Sequence, residues 1–237
     1  MIDAIKHIIR TKLCRRLGVP SIQFALERLK QNGFSPRHVF DVGAYQGDFA
    51  ALCFDLWPET RVTCFEVLPE PLSRISEVMR KEKNLKVVPC LLGAKRADSV
   101  EFHIAETASS VLIEREHPLV KKATYPMRTV DDVLEHECLG DAPDFLKMDV
   151  QGYELEVLKG ATRTLPLVKV VLAEVNLLEI HNEVPLLADF AAWMSSRGWL
   201  AYDICGLTRR PLDQALWQAD IIFVPEKSSF RQNKRYA

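Results

Sequence analysis

Two acidic residues near the ends of apolar runs frame the chemistry open to this chain. In "VFDVGAYQGDF", residues 39–49, a run carrying Asp41 enters a turn containing Gly43 and Gly47, and in "RVTCFEV" a second run closes around Glu66. Open α/β sheets hold nucleotides where a strand gives way to a glycine turn and a helix, and the residues of the turn select which nucleotide. A dinucleotide fingerprint needs a second glycine where the backbone approaches a pyrophosphate; here Ala44 and then Tyr45 follow Gly43. No Gly-Lys-Ser/Thr sequence follows either, which disfavours a nucleoside triphosphate. A carboxylate at Asp41 repels phosphate but suits an ammonium group. Glu66 lies 25 residues further on, where a carboxylate can accept hydrogen bonds from both ribose hydroxyls. Asp41, Gly43, Gly47 and Glu66 in that order point to S-adenosylmethionine, which has an amino group, a sulfonium and a ribose but no phosphate. The plainer alternative is that Asp41 caps the turn and Glu66 is a solvated strand end.

A second constellation lies in "DFLKMDVQGYELEVLKGA", residues 144–161. Asp149 follows an apolar run that should end at the same sheet edge, with Lys147 and Glu154 flanking it. An alcohol is a poor nucleophile near neutral pH, so methyl transfer to a hydroxyl needs a base. Asp149, Glu154, Glu174 and His181 are the candidates, with His103 in "SVEFHIAE" less favoured. Lys147 could orient a carboxylate or touch the acceptor, or pair with a neighbouring acid. Asp149, Glu174, Asn176 and His181 could approximate a divalent-metal cluster. Nothing in their spacing demands one, and no metal is assigned.

Positioning these residues requires alternating strands and helices. Ser21 can cap a helix that Gly33 ends. "HVFDV", "RVTCFEV", "LKVVPCLLG", "DFLKMDV" and "VKVVLAEV" read as buried strands, and "SVEFHIAE" as a half-exposed one. Helices are expected over "DFAALCFDLW", from Pro69 to about Lys83, and over "VDDVLEHE", "YELEVLKGATRTL" and "VPLLADFAAWMSSRG". Residues 107–128 show no clear period and read as a loop. "WLAYDIC" and "DIIFVPE" read as two closing strands without a helix between them, an antiparallel addition at one edge. The pattern predicts an α/β fold with a doubly wound, mostly parallel sheet.

These stretches resemble the FkbM family of S-adenosylmethionine-dependent methyltransferases. Its Lys-x-Asp-x-Glu-Gly-x-Glu-x-x-x-Leu-x-Gly pattern is matched from Lys147 to Gly160, and its "DVGA-x-x-G" turn by Asp41 to Gly47. The likeness continues through "VVLAEVN", "AYDICGL" and "QADIIFVP" and covers roughly residues 37–226. Gln151 departs from the pattern, standing where the family usually has an acid. The resemblance implies a seven-stranded, Rossmann-like class I methyltransferase domain and an O-methyltransferase acting on a sugar, glycolipid or secondary metabolite. It also implies a cofactor site of Asp41, Gly43, Ala44, Tyr45, Gly47, Glu66, Cys90, Leu91 and Asp149. Ser109 and Ser110 match a serine pair that relatives carry near cofactor or acceptor.

Composition is consistent with this reading and narrows the alternatives. The 237 residues carry 31 basic and 32 acidic side chains, a net charge of −1, which offers no broad nucleic-acid-binding face. Six scattered cysteines form no Cys-x-x-Cys pair and read as reduced thiols of a cytoplasmic protein. No apolar run is long enough to span a membrane. In "MIDAIKHIIRTKLCRRLG", Ile2, Ile5, Ile9 and Leu13 share a helical face beside Lys6, Arg10, Arg15 and Arg16. Such a helix packs on the main domain or touches a membrane surface. The expected layout is a helical extension over 1–34, a methyltransferase domain over 35–226 and a basic tail over 227–237. The expected partner is a small-molecule or glycan acceptor. Three rivals remain: a non-catalytic Rossmann-like scaffold, an NAD-binding oxidoreductase that Tyr45 argues against, and a methyltransferase acting on RNA, for which the sequence offers no clustered basic face beyond the N-terminal helix and the tail.

Overall fold

The computed structural model describes residues 13–105, 109–112, 121–138, 141–179 and 181–235. Most of the N-terminal amphipathic segment, including Ile2, Ile5, Lys6, Ile9 and Arg10, lies outside them. Helix α1 (Ile22–Gln31) starts at Ser21, whose Oγ accepts from Phe24 N–H, and buries Phe24, Ala25, Leu26 and Leu29. Arg15, just before it, pairs with Glu27 at 2.6 Å and lies over the Phe24 ring.

The main sheet is built from β1 (His38–Val42), β2 (Arg61–Phe65), β3 (Leu85–Val88), β7 (Phe145–Met148), β8 (Val170–Asn176), β9 (Trp199–Arg209) and β10 (Leu216–Pro225). Its order is β3-β2-β1-β7-β8-β10-β9. All neighbours are parallel except β10, which runs antiparallel to both β8 and β9. Helices α2 (Asp48–Leu56), α3 (Pro69–Met79), α4 (Val130–His136), α5 (Glu154–Lys159) and α6 (Leu187–Ser195) connect the strands. Every residue of β1 and β8 is buried, as befits strands covered on both faces. Phe40, Leu146, Met148, Val171 and Ala173 pack on one face with residues of α4, α5 and α6. Val39, Cys64, Phe145 and Leu172 pack on the other with α1 and α2. A carboxylate at Asp41, two residues from Val39, therefore points under α2.

A smaller sheet, β4 (Leu91–Leu92), β6 (Lys121–Arg128) and β5 (Ala97–Ile104), in that order, corrects two expectations. The run from Leu85 to Gly93 is not one strand: it breaks at Pro89–Cys90, and Leu91–Leu92 leave the main sheet to pair with β6. Residues 121–128, expected as loop, form the centre of the small sheet. Pro126 stands just before Met127 and Arg128, the two residues that pair with β4, and opposite the irregularity of β5 between Ala97 and Val100. The helix expected over 153–165 stops at Lys159, and a 3₁₀ turn at Leu165–Leu167 follows.

Candidate functional site

The parallel strands β1, β2, β7 and β8 end at one edge, and β10 begins there, Gln218 lying opposite Asn176. Gly43 makes that edge compact. At φ +74° it occupies the left-handed region, and a Cβ on it would collide with the carbonyl oxygen of Asp149, with the carbonyl carbon at 2.9 Å. Gly43 and Ala44 N–H both donate to Phe65 O, at 3.1 and 3.2 Å, which ties the turn to β2. Tyr45, at φ +45°, keeps a side chain where a dinucleotide site needs glycine, and its N–H donates to Glu66 Oε2 at 3.0 Å. Gly47 caps α2 at φ +86°.

Glu66 Oε1 accepts from Val67 and Leu68 N–H, both at 2.8 Å. Burial raises the pKa of this carboxyl, against the pull of the three backbone donors. A carboxylate offers about four acceptor directions, so Glu66 keeps room for one further donor on Oε2. It faces a cleft whose wall includes Gly43, Cys90, Leu91, Ser109 and Asp149. Apolar Phe65, Val67 and Phe102, with Tyr153, complete that wall.

Asp41 and Lys147 do not reach the cleft wall. Cys64, Asp41 and Lys147 are side-by-side partners on β2, β1 and β7, with Asp41 0 % exposed. Lys147 Nζ sits 3.0 Å from Asp41 Oδ1 and donates to Gly43 O at 2.9 Å. Burial alone would lower the Lys147 pKa, but Asp41 and Asp149 outweigh it and hold the ammonium protonated. Burial raises the Asp41 carboxyl in turn. The sequence-level alternative of an ion pair between Lys147 and a neighbouring acid is the arrangement found.

Beyond the turn lies a chain of carboxylates and amides. Asp149, its side chain 39 % exposed, accepts from Gln151 Nε2 at 2.9 Å. The same Gln151 nitrogen donates to Glu174 Oε2 at 2.8 Å, so an amide bridges the two carboxyls. Gln218 Nε2 donates to that oxygen too, at 2.8 Å. Burial, then Asp149, Glu154 and Asp220, push the Glu174 carboxyl well above the carboxylate range. Glu154 is buried, accepts from Val150 and Gly152 N–H through Oε1, and is raised to about 7, chiefly by burial. It therefore braces the 149–152 turn rather than facing a ligand. His181 is 1 % exposed, near Gly152. Ser109 Oγ accepts from Ala105 N–H, whereas Ser110 is buried and donates to Gln151 O at 2.9 Å, pinning its segment to the turn. His103 lies in β5 beside Glu101, at 3.3 Å. Among the described residues no three His, Cys, Asp or Glu side chains gather to hold a metal ion.

Gln218, Asp220, Tyr153 and Phe102 escaped the sequence reading. The signal for the first two was the final strand itself: an antiparallel strand placed beside β8 must begin at the ligand edge, which brings the polar start of "QADIIFVP" to the site.

The sheet order and the glycine turn between β1 and α2 define the class I, Rossmann-like methyltransferase fold. Residues 41–199 match the model of the methyltransferase FkbM domain, and the chain belongs to that family. A hexuronic acid methyltransferase, AglP, of Haloferax volcanii is 27 % identical over 139 residues, 58 % of this chain and 55 % of that protein. The crystal structure of an FkbM methyltransferase from Methylobacillus flagellatus superposes with a TM-score of 0.53 at 22 % identity, covering 80 % of this chain and 43 % of the other. The chain thus spans about half the length of each of these two proteins. Among the described residues no helix is long and apolar enough to cross a membrane.

Proposed function

We propose that this protein is an S-adenosylmethionine-dependent O-methyltransferase acting on a hydroxyl of a sugar, glycolipid or related small molecule. The observation that carries the reading is Glu66, fixed by three backbone N–H groups at the wall of a cleft between the Gly43 turn and Asp149, with one acceptor direction left on Oε2. That suits a ribose hydroxyl, and the apolar wall suits a nucleoside base without phosphates. The name of the Haloferax relative, a hexuronic acid methyltransferase, supports a sugar acceptor.

The bound cofactor would supply an electrophilic methyl group, and the rest falls to the chain. Glu66 and the Gly43 turn hold the nucleoside, while Phe65, Val67, Leu91 and Phe102 exclude water. Asp149, the partly exposed carboxylate of the edge, orients the acceptor hydroxyl, since alignment at about 3 Å supplies much of such catalysis. Glu174, buried beside Asp149 and held by the Gln151 and Gln218 amides, takes the hydroxyl proton. Asp41 and Lys147 act by positioning, fixing the Gly43 carbonyl from beneath.

Calorimetry with S-adenosylmethionine and S-adenosylhomocysteine tests this. The native chain should bind with micromolar affinity, and Glu66→Ala should weaken binding by roughly tenfold or more, the worth of one charged hydrogen bond. No binding by folded, ligand-free native protein overturns the assignment.

A further inference from the structure

We propose that Gln218 is a positioning residue: with Gln151 it commits one oxygen of Glu174, Oε2, to accepting hydrogen bonds, so that Glu174 gains and loses its proton at Oε1. This rests on reading the carboxyl edge as a methyl-transfer site with Glu174 as its base.

Both amide nitrogens lie 2.8 Å from the same oxygen, Gln151 Nε2 from the turn after β7 and Gln218 Nε2 from β10. An amide N–H can only donate, so an Oε2 receiving both uses its lone pairs and cannot direct a hydrogen at either. Oε1 has no hydrogen-bond partner among the described residues, which leaves it the atom to carry a proton. The Gln218 side chain, 3 % exposed, is locked in this sense. Its nitrogen faces Glu174 Oε2, Gln151 Oε1 at 3.4 Å and Asn176 Oδ1 at 3.4 Å, three acceptors at once. Flipping the amide would set its oxygen against three oxygens. Gln151 is held likewise by Asp149 Oδ1 on its other side.

The charged groups that weigh most on Glu174 are Asp149 after β7, Glu154 on α5, Asp220 on β10 and Lys147 on β7. All but the lysine disfavour a carboxylate at Glu174, and the lysine's shorter contact is with Asp41. The two amides are thus the groups that favour the charged form at close range, while leaving the site free of an added charge. An acid at Gln218 would accept where this chain has a donor.

The test uses the full chain labelled with ¹³C at glutamate carboxyls and titrated by NMR, the Glu174 resonance identified by its loss in Glu174→Gln. Gln218→Met, which keeps length and apolar bulk but removes the donor, should raise the Glu174 midpoint by roughly one pH unit. Gln218→Glu, nearly the same shape, should make Glu174 titrate in two coupled steps. A residue that only fills space would leave the midpoint in place, so an unmoved Glu174 titration in both folded variants overturns the proposal. If one variant fails to fold, the other decides alone. Calorimetry on the native chain separates the two claims: absent S-adenosylmethionine binding removes the methyl-transfer reading, while the titration still decides how Glu174 is held.

Discussion

Replacing Lys147 by methionine isolates the cost of the buried pair beneath the turn. Asp41 is fully buried and its counter-charge sits 3.0 Å away. Removing one member of such a pair costs about 3–5 kcal/mol, because the other is left uncompensated. With 237 residues unfolding at roughly 2.1 cal/mol/K each, the transition entropy is about 0.5 kcal/mol/K. The expected loss is therefore about 6–10 °C in Tm, measured by calorimetric or circular-dichroism melting at pH 7. The loss should shrink on acidification. Without Lys147 the folded-state pKa of Asp41 climbs further above its unfolded value, so the proton is retained in the fold, and the penalty grows only as pH rises above the unfolded value of about 4. The double variant Asp41→Asn/Lys147→Met should recover much of the loss. It should still fall short of the native chain by about 1–3 kcal/mol, because Gly43 O loses its donor. A single variant that melts within about 2 °C of the native chain, or a double variant no more stable than the single, refutes the account of Asp41 as a buried partner rather than a ligand.

Two further outcomes follow from the same edge. Glu154, raised to about 7 in the fold, holds a proton that the unfolded chain releases near pH 4.3, so its contribution falls as pH rises between those values. Glu154→Gln keeps the oxygen that receives Val150 and Gly152 N–H but has no proton to lose; it should gain on the native chain by on the order of 3 kcal/mol between pH 4 and 8, and a pH-independent difference in Tm would falsify this. Gly43→Ala combines a left-handed φ with a collision against Asp149; at least about 2 kcal/mol of stability should go, and calorimetric S-adenosylmethionine binding with it, while tight binding by the variant would show that the turn can give.

What the sequence made legible was the sheet's frame. "HVFDV", "DFLKMDV" and "VKVVLAEV" are dominated by apolar residues because both faces of their strands are covered, and short apolar runs between helices identify that situation. The same property hid the orientation of Asp41: in a strand buried on both sides, hydropathy does not distinguish the face under α2 from the face of the other core. The matched spacing of Asp41 before Gly43 and Lys147 before Asp149 was a usable clue, since it places both on one ladder of the sheet. β6 was obscured by two lysines and Pro126, although Ala123, Tyr125 and Met127 alternate with more exposed residues as a strand should. Cys90 and Leu91 line the cleft, yet from a crossover between two sheets rather than from a continuous strand. The amides of Gln151 and Gln218 meet over Glu174 across 67 residues of chain, a convergence that only the insertion of β10 beside β8 creates.

That insertion has a consequence for how the molecule comes into being. β10 lies between β8 and β9, so the last strand of this sheet in chain order fills its interior, and β9, made earlier, has no strand partner among the described residues until it arrives. On a chain emerging from the ribosome, both β8 and β9 present open hydrogen-bonding edges until residues 216–225 are out. Exposed edges of this kind invite pairing with other chains; β9 is covered by a local hairpin with β10, whereas β8 is covered across about 40 residues of chain, the slower kind of contact. The interval before β10 docks is therefore a window of vulnerability to misassembly, and the sheet edge where Gln218 meets Glu174 is completed only when it closes.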